Sequence, residues 1–147
     1  MSAAYLGLAL ALGLIGFAAV EVAGRALDAL TAITAYLWLD AAAYALAAAL
    51  LAMAFFRPFR RTRAVWAFLP VLGYLLLFAP LAAWLGASLE LTLDGLWSVP
   101  GLVESALVHA PINLVYALTL DVGVVALPLG LVSAGLLAWR ARRPRQR

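Results

Sequence analysis

Three carboxylates carried by three different apolar segments are the residues of this sequence best suited to chemistry. Glu21, Asp40 and Asp121 each lie inside or at the end of a segment that is otherwise almost entirely apolar. Counting about 1.5 Å per helical residue from the arginine-rich ends of these segments places the three carboxylates at a similar depth. A charge at the centre of a bilayer costs about 2.5 kcal/mol or more, so such residues commonly serve a function. The sequence therefore predicts a shared polar layer, either a binding site or a collar where the helices leave the bilayer.

Asp40 is the strongest individual candidate, because Tyr36 and Tyr44 lie four residues before and after it. That spacing places all three side chains on one stripe of a helix, where a phenol can donate a hydrogen bond to the carboxylate. The same segment is rich in alanine, which lets a neighbouring helix approach closely. The stripe predicts either a site for a cation, a proton or a substrate amine, or an interhelical contact in which Tyr and Asp satisfy one another.

Two further sets of polar residues have more limited roles. Glu21, Arg25 and Asp28 have helical spacings of four and three, which predict structural pairing at the end of the first helix. His109 is the only histidine, so it could at most join nearby carboxylates in a mixed site. The sequence contains no cysteine and no nucleophile-elbow, phosphate-loop or dinucleotide motif. It therefore predicts no catalytic residue, no metal site and no cofactor.

Transmembrane helices must position these residues, because 67% of the 147 residues are apolar and 12% are charged. Soluble domains carry about 25% charged residues. Crossing a hydrocarbon core of about 30 Å takes roughly 20 helical residues. Four segments are long enough: residues 5–22, 35–56, 64–85 and 112–139, the last interrupted by Pro128. The predicted fold class is an all-α integral membrane protein, one bundle of four transmembrane helices.

The charges separate to the two ends of this bundle and predict its orientation. Arginines fill the second loop and the tail, residues 140–147, whereas all seven acidic residues lie on or near the opposite side. The positive-inside rule makes the arginine side cytoplasmic. Both termini are therefore expected in the cytoplasm, and the protein in the cell inner (plasma) membrane. The arginines expected to face lipid headgroups and attract anionic lipids are Arg57, Arg60, Arg61, Arg63, Arg140, Arg142 and Arg143.

The segment between the third and fourth spans, residues 86–110, is expected on the outer side. Residues 88–95 alternate polar and apolar side chains, which predicts a short extended piece. Pro100 then predicts a helix start, and the residues after it are amphipathic enough to lie on the membrane surface. A re-entrant helix is one alternative. A fifth crossing over residues 99–120 is another, and it would move the arginine tail to the other side.

Small residues four apart, which permit close contact between helices, occur at three places. Such pairs serve packing inside the bundle as well as contact with other membrane-protein subunits or with a second copy of the chain. The pairs are Gly7 with Ala11, Ala9 with Gly13, and Gly130 with Ala134.

These features favour a non-catalytic, multi-span membrane subunit or accessory protein of a larger envelope, transport or respiratory complex. The main alternative is a small homo-oligomeric transporter or channel in which the outer carboxylates bind a cation or a proton. A second alternative is an intramembrane lipid-modifying enzyme that uses an outer Asp or Glu with His109. Nucleic acid is not expected as a partner, because the basic face is explained by topology.

Overall fold

The computed structural model is helical and describes residues 1–26, 37–62, 66–93 and 121–142, together with eight residues between 100 and 115. The side chains of residues 23–26, 37, 90, 91 and 121–125 are not described. Helix α1 is Ala3–Ala26, α2 is Leu37–Arg61, α3 is Phe68–Leu93 and α4 is Asp121–Arg142. The eight residues between 100 and 115 are also helical. The predicted all-helical class is therefore confirmed.

Three of the helices are long and apolar enough to cross a membrane. These stretches are Ala3–Val22, Trp38–Arg61 and Phe68–Leu89. Large apolar side chains lie exposed on all four helices, for example Leu14, Leu50, Leu72 and Leu131. Soluble monomers rarely expose this much apolar surface, whereas lipid chains cover it in a membrane protein. The chain therefore has the helices of a membrane protein, while a fourth crossing and the orientation in the bilayer stay predictions.

The prediction of an extended piece from residue 88 is wrong, because α3 continues to Leu93. The Ser88 hydroxyl donates to the Trp84 carbonyl oxygen at 2.6 Å, and the Thr92 hydroxyl donates to the Ser88 carbonyl oxygen at 2.7 Å. The polar side chains are thus satisfied one turn back on their own helix. Residues 94 and 95, where the extended piece was predicted to end, lie outside the described residues.

Helix α2 is the centre of the bundle, since it contacts α1, α3 and α4 and has its largest interfaces with α1 and α3. Helices α1 and α2 run antiparallel: Tyr5 of α1 reaches Ala52 near the end of α2, and Gly13 lies against Tyr44 nearer its start. We call the end that holds Tyr5 and the last turns of α2 and α4 the arginine end. The opposite end, with Glu21 and the first turn of α2, is the carboxylate end.

Large side chains from all four helices fill the half of the bundle at the arginine end. The largest fully buried ones are Tyr5, Phe59, Tyr74 and Leu137. The Tyr5 hydroxyl donates to the Ala52 carbonyl oxygen at 3.2 Å, and the rings of Phe59 and Tyr74 lie 6.2 Å apart. This half therefore has a closed core of interlocked side chains.

The half at the carboxylate end is packed differently, because its described buried positions are almost all alanine or glycine. A Cβ atom on Gly13 would lie 2.7 Å from the Tyr44 carbonyl oxygen and 2.8 Å from Ala45 Cα. The backbones of α1 and α2 thus meet where only glycine fits. Of the small-residue pairs, Ala9 and Gly13 are buried, with Gly13 against α2, whereas Gly7 and Ala11 are exposed.

Candidate functional site

Three of the predicted candidate residues lie at the carboxylate end of the bundle. The antiparallel pairing of α1 and α2 places Glu21, near the end of α1, at the same end as Asp40 and Tyr44 in the first turns of α2. Asp40 and Tyr44 are four residues apart and share one face of α2. All three side chains are half-buried. The carboxylate end therefore holds two acids and a phenol, contributed by two helices.

The Asp40 carboxylate also approaches α3. A Cβ atom on Gly86 would lie 3.2 Å from Asp40 Oδ1 and 3.8 Å from the Ala43 side chain. Gly86 is buried, so the absence of a side chain there gives the carboxylate its room between α2 and α3. Three helices consequently define the surroundings of Asp40.

Two phenylalanines hold the Tyr44 ring in place. Phe17 of α1 contacts it edge to face at a centroid distance of 5.5 Å, and Phe78 of α3 does the same at 5.6 Å. Edge-to-face pairs of this kind contribute about 0.5–1.5 kcal/mol each beyond area burial. The phenol is therefore fixed from both sides by helices other than its own, which positions its hydroxyl relative to Asp40.

The remaining predicted site residues fall where the structure gives no side-chain position. Tyr36, His109 and Asp28 lie outside the described residues, as do Arg63 and Arg143. Asp121 is the first residue of α4, and Arg25 lies in the last turn of α1, but their side chains are not described. Convergence of Asp121 with the other carboxylates, and the pairing of Glu21 with Arg25 and Asp28, therefore stay predictions.

Two carboxylates beside a phenol can perform a limited set of reactions and binding steps. Carboxylate oxygens accept hydrogen bonds from an ammonium group or hold a proton, and a phenol donates or accepts a hydrogen bond. A dedicated site for a divalent cation needs more ligands. Among the residues that the structure describes, no group of three or more His, Cys, Asp or Glu side chains could hold a metal ion. The described side chains thus offer acceptors for a proton or a cationic group.

At the opposite end, Arg142 caps the last turn of α2. Its Nε donates to the Phe59 carbonyl oxygen at 2.9 Å, and Nη2 lies 3.5 Å from the Thr62 carbonyl oxygen. A positive group at the carbonyl end of a helix is favoured by the helix dipole. Arg142 thus links α4 to α2 and remains exposed, as are Arg57, Arg60, Arg61 and Arg140. The predicted contact of these arginines with lipid headgroups stays a prediction.

Sequence reasoning missed the groups that shape the carboxylate cluster from other helices. Phe17, Phe78 and Gly86 all contact Asp40 or Tyr44, and each lies 23 or more residues away in the chain. No spacing rule connects residues on different helices. An exposed-or-buried pattern gives no signal either, since these helices are apolar on most faces.

Comparison with other proteins gives no relative for this arrangement. The chain matches no protein-family model, no curated protein and no solved structure.

Proposed function

We propose that this chain is a non-catalytic membrane subunit or accessory protein that works within a larger envelope, transport or respiratory complex of the cell inner membrane. The observation that carries this proposal is the closed core at the arginine end. Tyr5, Phe59, Tyr74 and Leu137 come from four different helices and are almost completely buried. Four large side chains, one from each helix, fill the bundle where they meet, which supports a scaffold better than a conduit.

The exposed outer surface offers partners a place to bind. Gly7 on α1 and Gly135 on α4 are both exposed, and no heavy atom lies within 4 Å of where their Cβ atoms would be. Small residues at such positions allow the backbone of another transmembrane helix to approach closely. A subunit role requires surfaces of this kind, which packing within the bundle does not use.

Purification from the native host in mild detergent tests the subunit role. We expect a stoichiometric membrane-protein companion that stays bound through size-exclusion chromatography. Gly7→Leu and Gly135→Leu form a matched pair, because both add the same side chain at an open, exposed position. Loss of the companion in one variant, with the other unaffected, identifies the contacting helix. A monodisperse chain that carries out transport or catalysis alone after reconstitution would contradict the proposal.

The placement of Glu21, Asp40 and Tyr44 at one end of the bundle favours one other candidate, a small homo-oligomeric transporter or channel for a cation or a proton. Because large side chains fill the arginine end of each chain, this candidate has its conducting path between protomers. Proteoliposome flux with wild type, Asp40→Asn and Glu104→Gln separates the two functions. Glu104 is an exposed carboxylate, so its variant controls for the loss of one negative charge. Flux that falls at least tenfold only in Asp40→Asn supports the transporter, and equal flux in all three removes Asp40 from any transport mechanism.

A further inference from the structure

One face of α2 combines exposed apolar side chains with exposed arginines in a single line. From Leu46 to Arg60 successive members are three or four residues apart, and Arg61 lies four residues after Arg57, which places all of them on the same side of the helix. The apolar members are each slightly more than two-fifths exposed, and the arginines are exposed as well. We call this surface the exposed α2 stripe; it consists of Leu46, Leu50, Met53, Arg57, Arg60 and Arg61.

The length of the exposed α2 stripe matches one leaflet of a bilayer. From Leu46 to Arg57 the helix rises about 16 Å, at about 1.5 Å per residue. Half of a hydrocarbon core of about 30 Å is nearly the same distance. Apolar side chains thus extend over the depth of one set of acyl chains, and the arginines begin at the level of the phosphates.

The three arginines of the stripe are not neutralised by the rest of the described chain. The Phe59 and Thr62 carbonyl oxygens at the end of α2 accept hydrogen bonds from Arg142 and not from the arginines of the stripe. Asp40, the carboxylate of the same helix, lies 17 residues away from Arg57, which is about 25 Å along the axis. Among the described residues none accepts a hydrogen bond from the Arg57, Arg60 or Arg61 side chain. Their positive charge is free for a ligand from outside.

The geometry points to a binding site for one anionic phospholipid on the exposed α2 stripe. Arg57, Arg60 and Arg61 hold its phosphate, which guanidinium groups bind through paired N–H donors, and an acyl chain lies along Leu46, Leu50 and Met53. The site rests on the same placement in a bilayer as the proposed subunit role, but it needs no protein partner. A missing companion protein and a missing lipid site are therefore separate results.

Native mass spectrometry of the delipidated protein tests the site. Phosphatidylglycerol and phosphatidylcholine with identical acyl chains serve as the probes. We expect one phosphatidylglycerol to bind at least tenfold more tightly than phosphatidylcholine. Each of Arg57→Gln, Arg60→Gln and Arg61→Gln should weaken phosphatidylglycerol binding about fivefold, from about 1 kcal/mol per basic residue near a membrane surface. The triple variant should weaken it about a hundredfold.

Arg140→Gln is the matched control, because Arg140 is an exposed arginine at the same end of the bundle on a different helix. It should change phosphatidylglycerol binding by less than twofold. Equal weakening in Arg140→Gln and Arg61→Gln, or wild-type affinity in the triple variant, would overturn the site. The single variants keep two of the three arginines and report on the site even where the triple variant does not fold, with helical circular dichroism as the check on folding.

Glycerol 3-phosphate as a competitor tests whether the acyl chain contributes. We expect it to leave bound phosphatidylglycerol in place at millimolar concentration, because it carries the phosphate but nothing to cover the apolar part of the stripe. Displacement at the same concentration as a short-chain phosphatidylglycerol would overturn the assignment to a lipid and identify a site for soluble phosphates instead.

Discussion

The two halves of this bundle are held together by opposite kinds of packing. At the arginine end, Tyr5, Phe59, Tyr74 and Leu137 interlock, with ring contacts and a hydrogen bond between helices. At the carboxylate end, the described buried positions are small, and the backbones of α1 and α2 meet directly at Gly13. Packing at the arginine end depends on large side chains that fill the interior, and packing at the carboxylate end depends on small residues that let the helix backbones approach.

This difference separates the large buried side chains from the polar candidate residues along the axis of one small protein. The acids and the phenol occur in the second half, with Asp40 in the room left by Gly86. The comparison predicts that the protein is destabilised by removing side-chain atoms at the arginine end and by adding side-chain atoms at the carboxylate end.

Gly13→Leu should have the largest effect. The new Cβ would lie 2.7 Å from one backbone atom and 2.8 Å from another, and neither can move without shifting α2. We expect a loss of more than about 3 kcal/mol in the free energy of unfolding, beyond the usual cost of overpacking. Reversible unfolding in mixed detergent micelles, followed by tryptophan fluorescence, measures it. Gly7→Leu is the control, since nothing lies within 4 Å of its Cβ position; similar losses in both variants would contradict close packing at Gly13.

Leu137→Ala should have the next largest effect, because Leu137 is 0% exposed and its neighbour Leu136 is 40% exposed. The free energy of unfolding should fall by about 2 kcal/mol, the low end of the range for buried leucines. We expect the low end because the unfolded helices stay in the micelle, so unfolding does not transfer the leucine side chain to water. Leu136→Ala, measured in the same micelles, should cost less than about 0.5 kcal/mol. If both variants unfold alike, the core does not lie where the structure has it.

Arg142→Gln should have a moderate effect. The substitution removes the charge and the hydrogen bond to the Phe59 carbonyl oxygen at 2.9 Å. Since the site is partly exposed to solvent, we expect a loss of about 1 kcal/mol. Hydrogen exchange of the last turn of α2 should speed up in this variant and stay unchanged in Arg140→Gln. Equal exchange rates in the two variants would show that the cap contributes nothing.

Tyr5→Phe should have the smallest effect of the four. It removes the hydroxyl that donates to the Ala52 carbonyl oxygen and keeps the ring, which lies 5.0 Å from that of Phe56. Hydrogen bonds between membrane helices average about 0.6 kcal/mol, and we expect a loss of that size. Tyr5→Leu removes the ring contact as well and should cost more in the same unfolding measurement. If Tyr5→Phe lowers the free energy of unfolding as much as Tyr5→Leu does, the hydroxyl accounts for the whole contribution of Tyr5 and the ring contact for none.

Part of the candidate site could be predicted from the sequence and part could not. Asp40 and Tyr44 are four residues apart on one helix, so their proximity follows from helical geometry alone. Glu21 was placed near them by depth, which depends only on counting residues along α1. Phe17, Phe78 and Gly86 were not found, because their contact with the site depends on how three helices are rotated relative to one another.

The extended piece predicted from residue 88 was wrong for a different reason. Residues 88–93 alternate polar and apolar types, and the alternation predicted an extended piece, but Leu89 and Leu93 are also four apart and share a helix face. Ser88 and Thr92 then satisfied their hydroxyls on the backbone of α3. A short pattern that fits both a strand and a helix takes the structure of the segment next to it, and here that segment is a long apolar helix.

The sequence by itself determined the helical class and the presence of helices long and apolar enough to cross a membrane, because hydropathy is a local property of the chain. It also placed Asp40 and Arg61 at opposite ends of α2. Only the tertiary structure decided which face of each helix is buried, that α2 is central, and that Arg142 caps it. The physical reason is that side chains facing lipid are as apolar as those facing the core, so the pattern along a helix does not mark its packed side.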